Sequence, residues 1–103
     1  MTIAQQINWD FKVNGSLVIQ DKNGKLIYWE TSKGFWVKYE YDSQGKEIYH
    51  ETSNGFWEKR EYDSKCNLIY YENSDGYWGK WEYDSKGNEI YFEDFLRIQM
   101  VKS

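Results

Sequence analysis

The chain has 103 residues, a formal net charge of −4 at pH 7, one Cys and no Pro. Aromatic residues make up 20% of the chain, half of its 40% hydrophobic content, and this much aromatic surface argues against a disordered chain. The acidic balance argues against nucleic-acid binding, since proteins that bind nucleic acid usually carry a basic patch.

The sequence contains no apolar run long enough for a signal peptide or a membrane span. The single Cys66 cannot form a disulfide within the chain, which fits a reducing compartment. We therefore expect a cytoplasmic protein that does not enter a membrane.

The first predicted element is an N-terminal hairpin. The segments Ile7 to Val13 and Ser16 to Gln20 flank Asn14-Gly15, a dipeptide typical of two-residue type I′ turns. Residues 1–20 are therefore predicted to form a hairpin that caps the domain.

From residue 21 to residue 93 the sequence repeats with a period of 21 residues. Each copy contains two turn signals separated by seven or eight residues rich in Ile, Tyr, Trp and Phe, which predict strands. The expected fold is all-β, an antiparallel meander of β-hairpin repeats with about nine strands. It forms a single twisted sheet or a curled half-barrel, within one domain that residues 94–103 cap at the C-terminus.

Two kinds of turn are predicted to alternate along the chain. Two-residue type I′ loops are expected at Lys33-Gly34, Asn54-Gly55 and Asp75-Gly76. Type I turns followed by a glycine bulge are expected at 42–45 and 84–87. In the predicted register Ser53 pairs with Phe56, and the alternation of even and odd loops keeps the two sheet faces constant along the chain.

On this register one face carries a row of tyrosines beside a row of glutamates, and Glu51 lies directly opposite Glu58. Tyr, Trp and Arg are enriched at interface hot spots, and carboxylates favour a basic partner. The predicted partner-binding residues are Tyr28, Glu30, Tyr49, Glu51, Glu58, Arg60, Tyr70, Glu72, Trp81 and Tyr91. An alternative explanation is that duplication of one unit copied its carboxylates without selection for a ligand.

The other face carries a row of tryptophans, Trp36, Trp57 and Trp78, which is the alternative ligand-binding site. Elsewhere the chemistry of catalysis is missing. One His and one Cys cannot form a common zinc site, and no glycine-rich phosphate loop or nucleophile elbow is present. The sequence predicts no enzyme, no catalytic residues, no metal and no cofactor.

The motif Tyr-Asp-Ser-x-Gly-x, seen at 41–46 and 83–88 and with Cys66 in place of glycine at 62–67, resembles the tyrosine–aspartate (YD) repeats of the Rhs type. That resemblance implies arrays of β-hairpins. Asn54-Gly-Phe-Trp57 resembles choline-binding and glucan-binding repeats, which implies that the Trp row forms aromatic cages for choline or sugar. In size and style the chain also resembles small phage-encoded anti-defence proteins, which implies an inhibitor.

The function predicted from these observations is a non-enzymatic protein-binding module. It is expected to be an inhibitor from a phage or mobile element, of the anti-CRISPR, anti-defence or immunity type, that docks on a basic surface of a larger protein. The alternative is a carbohydrate- or choline-binding protein that uses the Trp row. A homodimer is also expected, because an open sheet with two aromatic faces would be poorly covered in a monomer.

Overall fold

A computed structural model of the chain describes residues 1–95, and it is all-β apart from two short helices at the N-terminus. The helices are α1 (Ile3–Gln6) and α2 (Phe11–Asn14), and the strands are β1 (Leu17–Gln20), β2 (Leu26–Glu30), β3 (Trp36–Tyr41), β4 (Glu47–Thr52), β5 (Trp57–Tyr62), β6 (Leu68–Asn73), β7 (Trp78–Tyr83) and β8 (Glu89–Asp94). The strands form one antiparallel meander in the order β1 to β8. The predicted fold class is therefore confirmed.

The chain divides into two compact units. Unit 1 extends from Met1 to Phe56, and unit 2 begins at Trp57. Within the described residues no helix is long and apolar enough to cross a membrane. Residues 96–103 of the predicted C-terminal cap, 94–103, lie outside the described residues.

The N-terminal segment differs from the predicted hairpin because side-chain caps make it helical. Thr2 and Gln5 form a reciprocal capping box at α1, with each backbone N–H donating to the side chain of the other residue. Asp10 caps α2 by accepting from the N–H groups of Lys12 and Val13. The prediction of a hairpin over residues 1–20 is wrong, and the described chain has eight strands where about nine were expected.

The turns between the strands all close in the same way, so the predicted alternation of two turn types is also wrong. At Thr31, for example, the N–H donates to the Phe35 carbonyl and the carbonyl accepts from the Gly34 N–H, at 2.9 and 3.0 Å. This is a three-residue loop in which Gly34, with φ 88°, occupies the left-handed position. A type I′ turn would also require positive φ at Lys33, which is unfavourable for a residue with a Cβ.

A bulge next to each Asp turn supplies the odd residue of the period. In unit 1 Tyr41 pairs with Glu47, but Glu40 pairs with Tyr49, so Ile48 has no opposite residue on β3. The same shift occurs in unit 2, where the pairing passes over Ile69. Because side chains alternate between faces, this one-residue difference changes which residues share a face.

We call the face that carries the lysines the Lys face. In unit 1 Lys38 lies opposite Tyr28 and Glu51, and in unit 2 Lys80 lies opposite Tyr70 and Glu93. The Lys face includes Leu17, Ile19, Tyr28, Glu30, Trp36, Lys38, Glu40, Tyr49 and Glu51 in unit 1 and Trp57, Lys59, Glu61, Tyr70, Glu72, Trp78, Lys80, Glu82, Tyr91 and Glu93 in unit 2.

The opposite face of unit 2 holds three residues that were predicted to share a surface with the Tyr and Glu rows. Glu58 lies opposite Asn73, and Arg60 lies opposite Tyr71. Trp81 is on that face too, opposite Phe92. The predicted partner-binding set is therefore divided between two faces, and the predicted register is wrong by one residue.

The Cys66 turn allows a direct test of the left-handed position. Cys66 has φ 69°, where the equivalent turns have glycine. Cys66→Gly is expected to raise the free energy of unfolding by about 1 kcal/mol, because glycine adopts this conformation without steric cost. Gly87→Ala, at an equivalent position where a Cβ would meet nothing within 4 Å, should lower it by a similar amount. Urea unfolding measures both changes, and an unchanged or lower stability of Cys66→Gly would contradict the turn assignment.

Candidate protein-binding face

The Lys face is built on a Tyr-x-Glu pattern in which each hydroxyl donates to the carboxylate two residues further along the strand. The distances from hydroxyl to carboxylate are 2.8 Å for Tyr28–Glu30, 3.1 Å for Tyr49–Glu51 and 3.0 Å for Tyr70–Glu72. Residues two apart on a strand point to the same face, so the pattern produces these pairs locally. Burial, and then the bond to Glu30, raises the pKa of Tyr28 to about 12. These hydroxyls therefore remain donors at neutral pH.

In unit 1 the Tyr28–Glu30 pair is covered by the N-terminal segment. The Ala4 N–H donates to Glu30 Oε1 at 3.1 Å, and the Glu30 side chain is only 2% exposed. Tyr28 is 7% exposed and forms a small core with Ala4 and Leu17. The partly buried side chains packed against this core are Ile3, Trp9, Phe11, Ile19 and Trp36.

Glu30 remains ionised despite its burial. Desolvation alone would raise the pKa of this carboxyl, but hydrogen bonds from the Thr2 side chain, the Ala4 N–H and the Tyr28 hydroxyl outweigh it and lower the pKa below the ordinary 4.5. A buried carboxylate with this many donors anchors α1 on the sheet. Tyr28 and Glu30 are thus buried and hydrogen-bonded within unit 1, and their contact with a partner stays a prediction.

The second predicted pair in unit 1 is also engaged within the chain. Glu51 accepts from Tyr49 and forms an ion pair with Lys38 across the strand, with 3.4 Å between Nζ and Oε1. Because this pair is partly exposed to solvent, its contribution to stability is small. The carboxylates of the Lys face are therefore interleaved with lysines.

Unit 2 repeats the same arrangement 42 residues later in the chain, but with a charged border. Tyr70, Glu72 and Trp78 stand at the positions of Tyr28, Glu30 and Trp36, and all three are partly exposed. The apolar residues Leu17 and Ile19, which pack under α1 in unit 1, are replaced by Lys59 and Glu61. The predicted residue Tyr91 is on this face as well and is 45% exposed.

Each unit contains a cavity whose lining includes residues of the Lys face, and the two cavities are formed by equivalent residues. The cavity of unit 1 has a volume of about 630 Å³ and lies between Ile3, Ile19, Tyr28, Lys38 and Glu40, among others. The cavity of unit 2 has a volume of about 510 Å³ and is lined by Glu61, Asp63, Ile69, Tyr70, Lys80, Trp81, Glu82 and Tyr83. With three carboxylates to one lysine, the cavity of unit 2 favours a cationic group.

The predicted residues on the opposite face of unit 2 form a network of their own. Tyr71 donates to Glu58 Oε2 at 2.5 Å, and Arg60 Nη1 lies 3.4 Å from the other oxygen of that carboxylate. The Arg60 guanidinium also lies 5.2 Å from the centre of the Tyr71 ring. Nearby, Trp81 lies over Gly79, where an added Cβ would come within 2.8 Å of the indole. These departures from the repeat compensate one another.

The alternative Trp row is in contact with the chain itself. Trp36 stacks on Tyr28, with 6.1 Å between the ring centres, and packs against the core of unit 1. The Lys80 ammonium lies 5.6 Å from the centre of the Trp78 ring. Trp57 is partly buried, and its backbone N–H donates to the Ser74 hydroxyl.

No protein-family model matches the sequence, and no curated protein matches it. The resemblance to YD repeats therefore rests on the Tyr-Asp-Ser motif.

The anchor at Glu30 predicts an acid-sensitive stability. Because folding lowers the pKa of Glu30, its contribution is present above pH 4.5 and is lost as the pH falls through the lower folded value. Glu30→Gln is expected to cost about 1–3 kcal/mol at pH 7, and this cost should shrink below pH 4. Urea unfolding of both proteins from pH 3 to pH 7 measures the difference. Backbone N–H groups also lower the pKa values of Asp63 and Asp84. Both proteins share this contribution to acid sensitivity, so it cancels in the difference between their free energies of unfolding. A difference that does not vary with pH would contradict the anchor.

Proposed function

We propose that this chain is a non-enzymatic protein-binding module that docks a basic segment of a partner protein on the Lys face of unit 2. The observation that carries the proposal lies in unit 1. There the same Tyr, Glu and Trp set already holds a polypeptide segment, the α1 region, on a buried carboxylate. In unit 2 the equivalent set is partly exposed.

The charge of the face supports a basic partner. In unit 2 Lys59 lies opposite Glu72, and Lys80 lies opposite Glu93. The remaining carboxylates, Glu61 and Glu82, lie opposite Tyr70 and Tyr91. Their excess negative charge beside aromatic rings favours Lys or Arg side chains of a partner.

An inhibitor of the phage or mobile-element type would need only such a face, since blocking a basic surface of a larger protein requires no catalytic group. This role and the cytoplasmic location remain predictions. No contact of the Trp row favours a carbohydrate or choline ligand over a protein partner.

The test neutralises the excess charge without removing side-chain volume. Immobilised full-length protein is used to capture proteins from lysate of the source cell and of its natural host or competitor, followed by mass spectrometry. Capture of one dominant protein is expected to be lost with Glu61→Gln/Glu82→Gln, because the attraction to a basic surface falls with the charge.

The matched control is Glu47→Gln/Glu89→Gln, which removes the same charge at residues that lie opposite Tyr41 and Tyr83, on the other face of each unit. This variant should retain capture. If both variants lose the captured protein equally, net charge and not the Lys face is responsible, and the proposal is wrong.

A further inference from the structure

We infer that the partner segment docked by unit 2 is a short N-capped helix, whose first-turn N–H donates to Glu72 as the Ala4 N–H donates to Glu30. This inference rests on the proposed function and specifies the form of the partner. It follows from comparing the occupied face of unit 1 with the equivalent face of unit 2.

The geometry of unit 1 shows how a carboxylate on the sheet receives the start of a helix. The first N–H groups of a helix have no acceptor within the helix, and its N-terminus favours negative charge. In α1 the Thr2 hydroxyl accepts from the Gln5 N–H, and the Ala4 N–H is directed to Glu30. The small Ala4 side chain, 2% exposed, lets the backbone approach the sheet.

In unit 2 the Glu72 carboxylate is held by a tyrosine hydroxyl, as Glu30 is in unit 1. The Glu72 carboxylate is held by the Tyr70 hydroxyl at 3.0 Å, close to the 2.8 Å of the Tyr28–Glu30 pair. Among the described residues that hydroxyl is the donor to Glu72, whereas Glu30 also receives Ala4 and Thr2. Trp78 provides the ring that Trp36 provides in unit 1.

The differences between the units specify the sequence of the incoming helix. In unit 1 Ile3 and Ile19 both pack against the core and both line the cavity. In unit 2 the residue at the position of Ile19 is Glu61. A partner helix therefore requires Lys or Arg at the position of Ile3, after a capping Ser or Thr and before a small residue. The Ile3 side chain of a second copy of this chain would place an apolar group against Glu61.

The probe is a synthetic peptide of residues Met1–Gly15 carrying Ile3→Lys, titrated into the isotope-labelled full chain and followed by NMR. Shifts are expected at Tyr70, Glu72 and the Trp78 indole. The unchanged peptide should bind about tenfold more weakly, since it lacks the charge that meets Glu61. Adding Thr2→Ala to the probe should weaken it about fivefold through loss of the cap.

Variants of the full chain locate the contact. Glu72→Gln should weaken the probe severalfold, whereas Glu89→Gln, on the other face, should not. Absence of shifts at Tyr70 and Trp78 up to millimolar peptide would overturn the inference. Equal or tighter binding of the unchanged Ile3 peptide would overturn it as well and would assign this face to a second copy of the chain.

The two proposals fail separately. A proline-containing peptide of the same charge that cannot form the helix serves as the comparison. If it binds as tightly as the probe and loses affinity with Glu61→Gln/Glu82→Gln, the helix is wrong and the basic-segment function stands. The proposed function is contradicted if the capture experiment shows equal loss of the partner with Glu61→Gln/Glu82→Gln and with the control Glu47→Gln/Glu89→Gln.

Discussion

The structure depends on one extra residue in each two-strand period. The period of 21 residues is odd, and identical loops join all the strands, so the odd residue must lie inside a strand. Ile48 and Ile69 are those residues, each passed over where the pairing shifts beside an Asp turn. Since a one-residue shift moves a side chain to the other face, the bulges determine which carboxylates, rings and lysines share a surface. Both the Lys face and the division of the predicted partner site follow from them.

The same local pair has two different environments in the two units. A Tyr-x-Glu pair aligns itself on any strand, because residues two apart share a face. In unit 1 Leu17 and the α1 segment enclose the Tyr28–Glu30 pair, and the carboxylate becomes an anchor with several donors. In unit 2 the charged Lys59 and Glu61 border the equivalent pair. A buried carboxylate must be paired or hydrogen-bonded, so a partner that covered Glu72 would have to bring the donors that α1 brings to Glu30.

Much of the fold could be predicted from the sequence, and the errors have physical causes. The turn positions and strand compositions predict the meander correctly. Lys33-Gly34 fits a type I′ turn as well as the glycine end of a longer loop, so the dipeptide alone does not determine the register. Thr2 and Asp10 are residue types that favour the N-cap of a helix, but the alternating apolar residues after Ile7 favoured a strand. The burial of Glu30 depends on a helix that packs from a distant part of the chain, and no local pattern reveals it.

Several residues that depart from the repeat contact one another in the structure. Glu58, Arg60 and Tyr71 change together and satisfy one another, and Gly79 leaves the space that the Trp81 indole fills. Such compensated changes preserve packing and need no ligand to explain them. The replacement of Leu17 and Ile19 by Lys59 and Glu61 is of another kind. In unit 1 the two apolar residues pack beneath the α1 segment, whereas in unit 2 two charged residues border the Glu72 carboxylate. That contrast is the physical reason for proposing a binding site on the Lys face of unit 2.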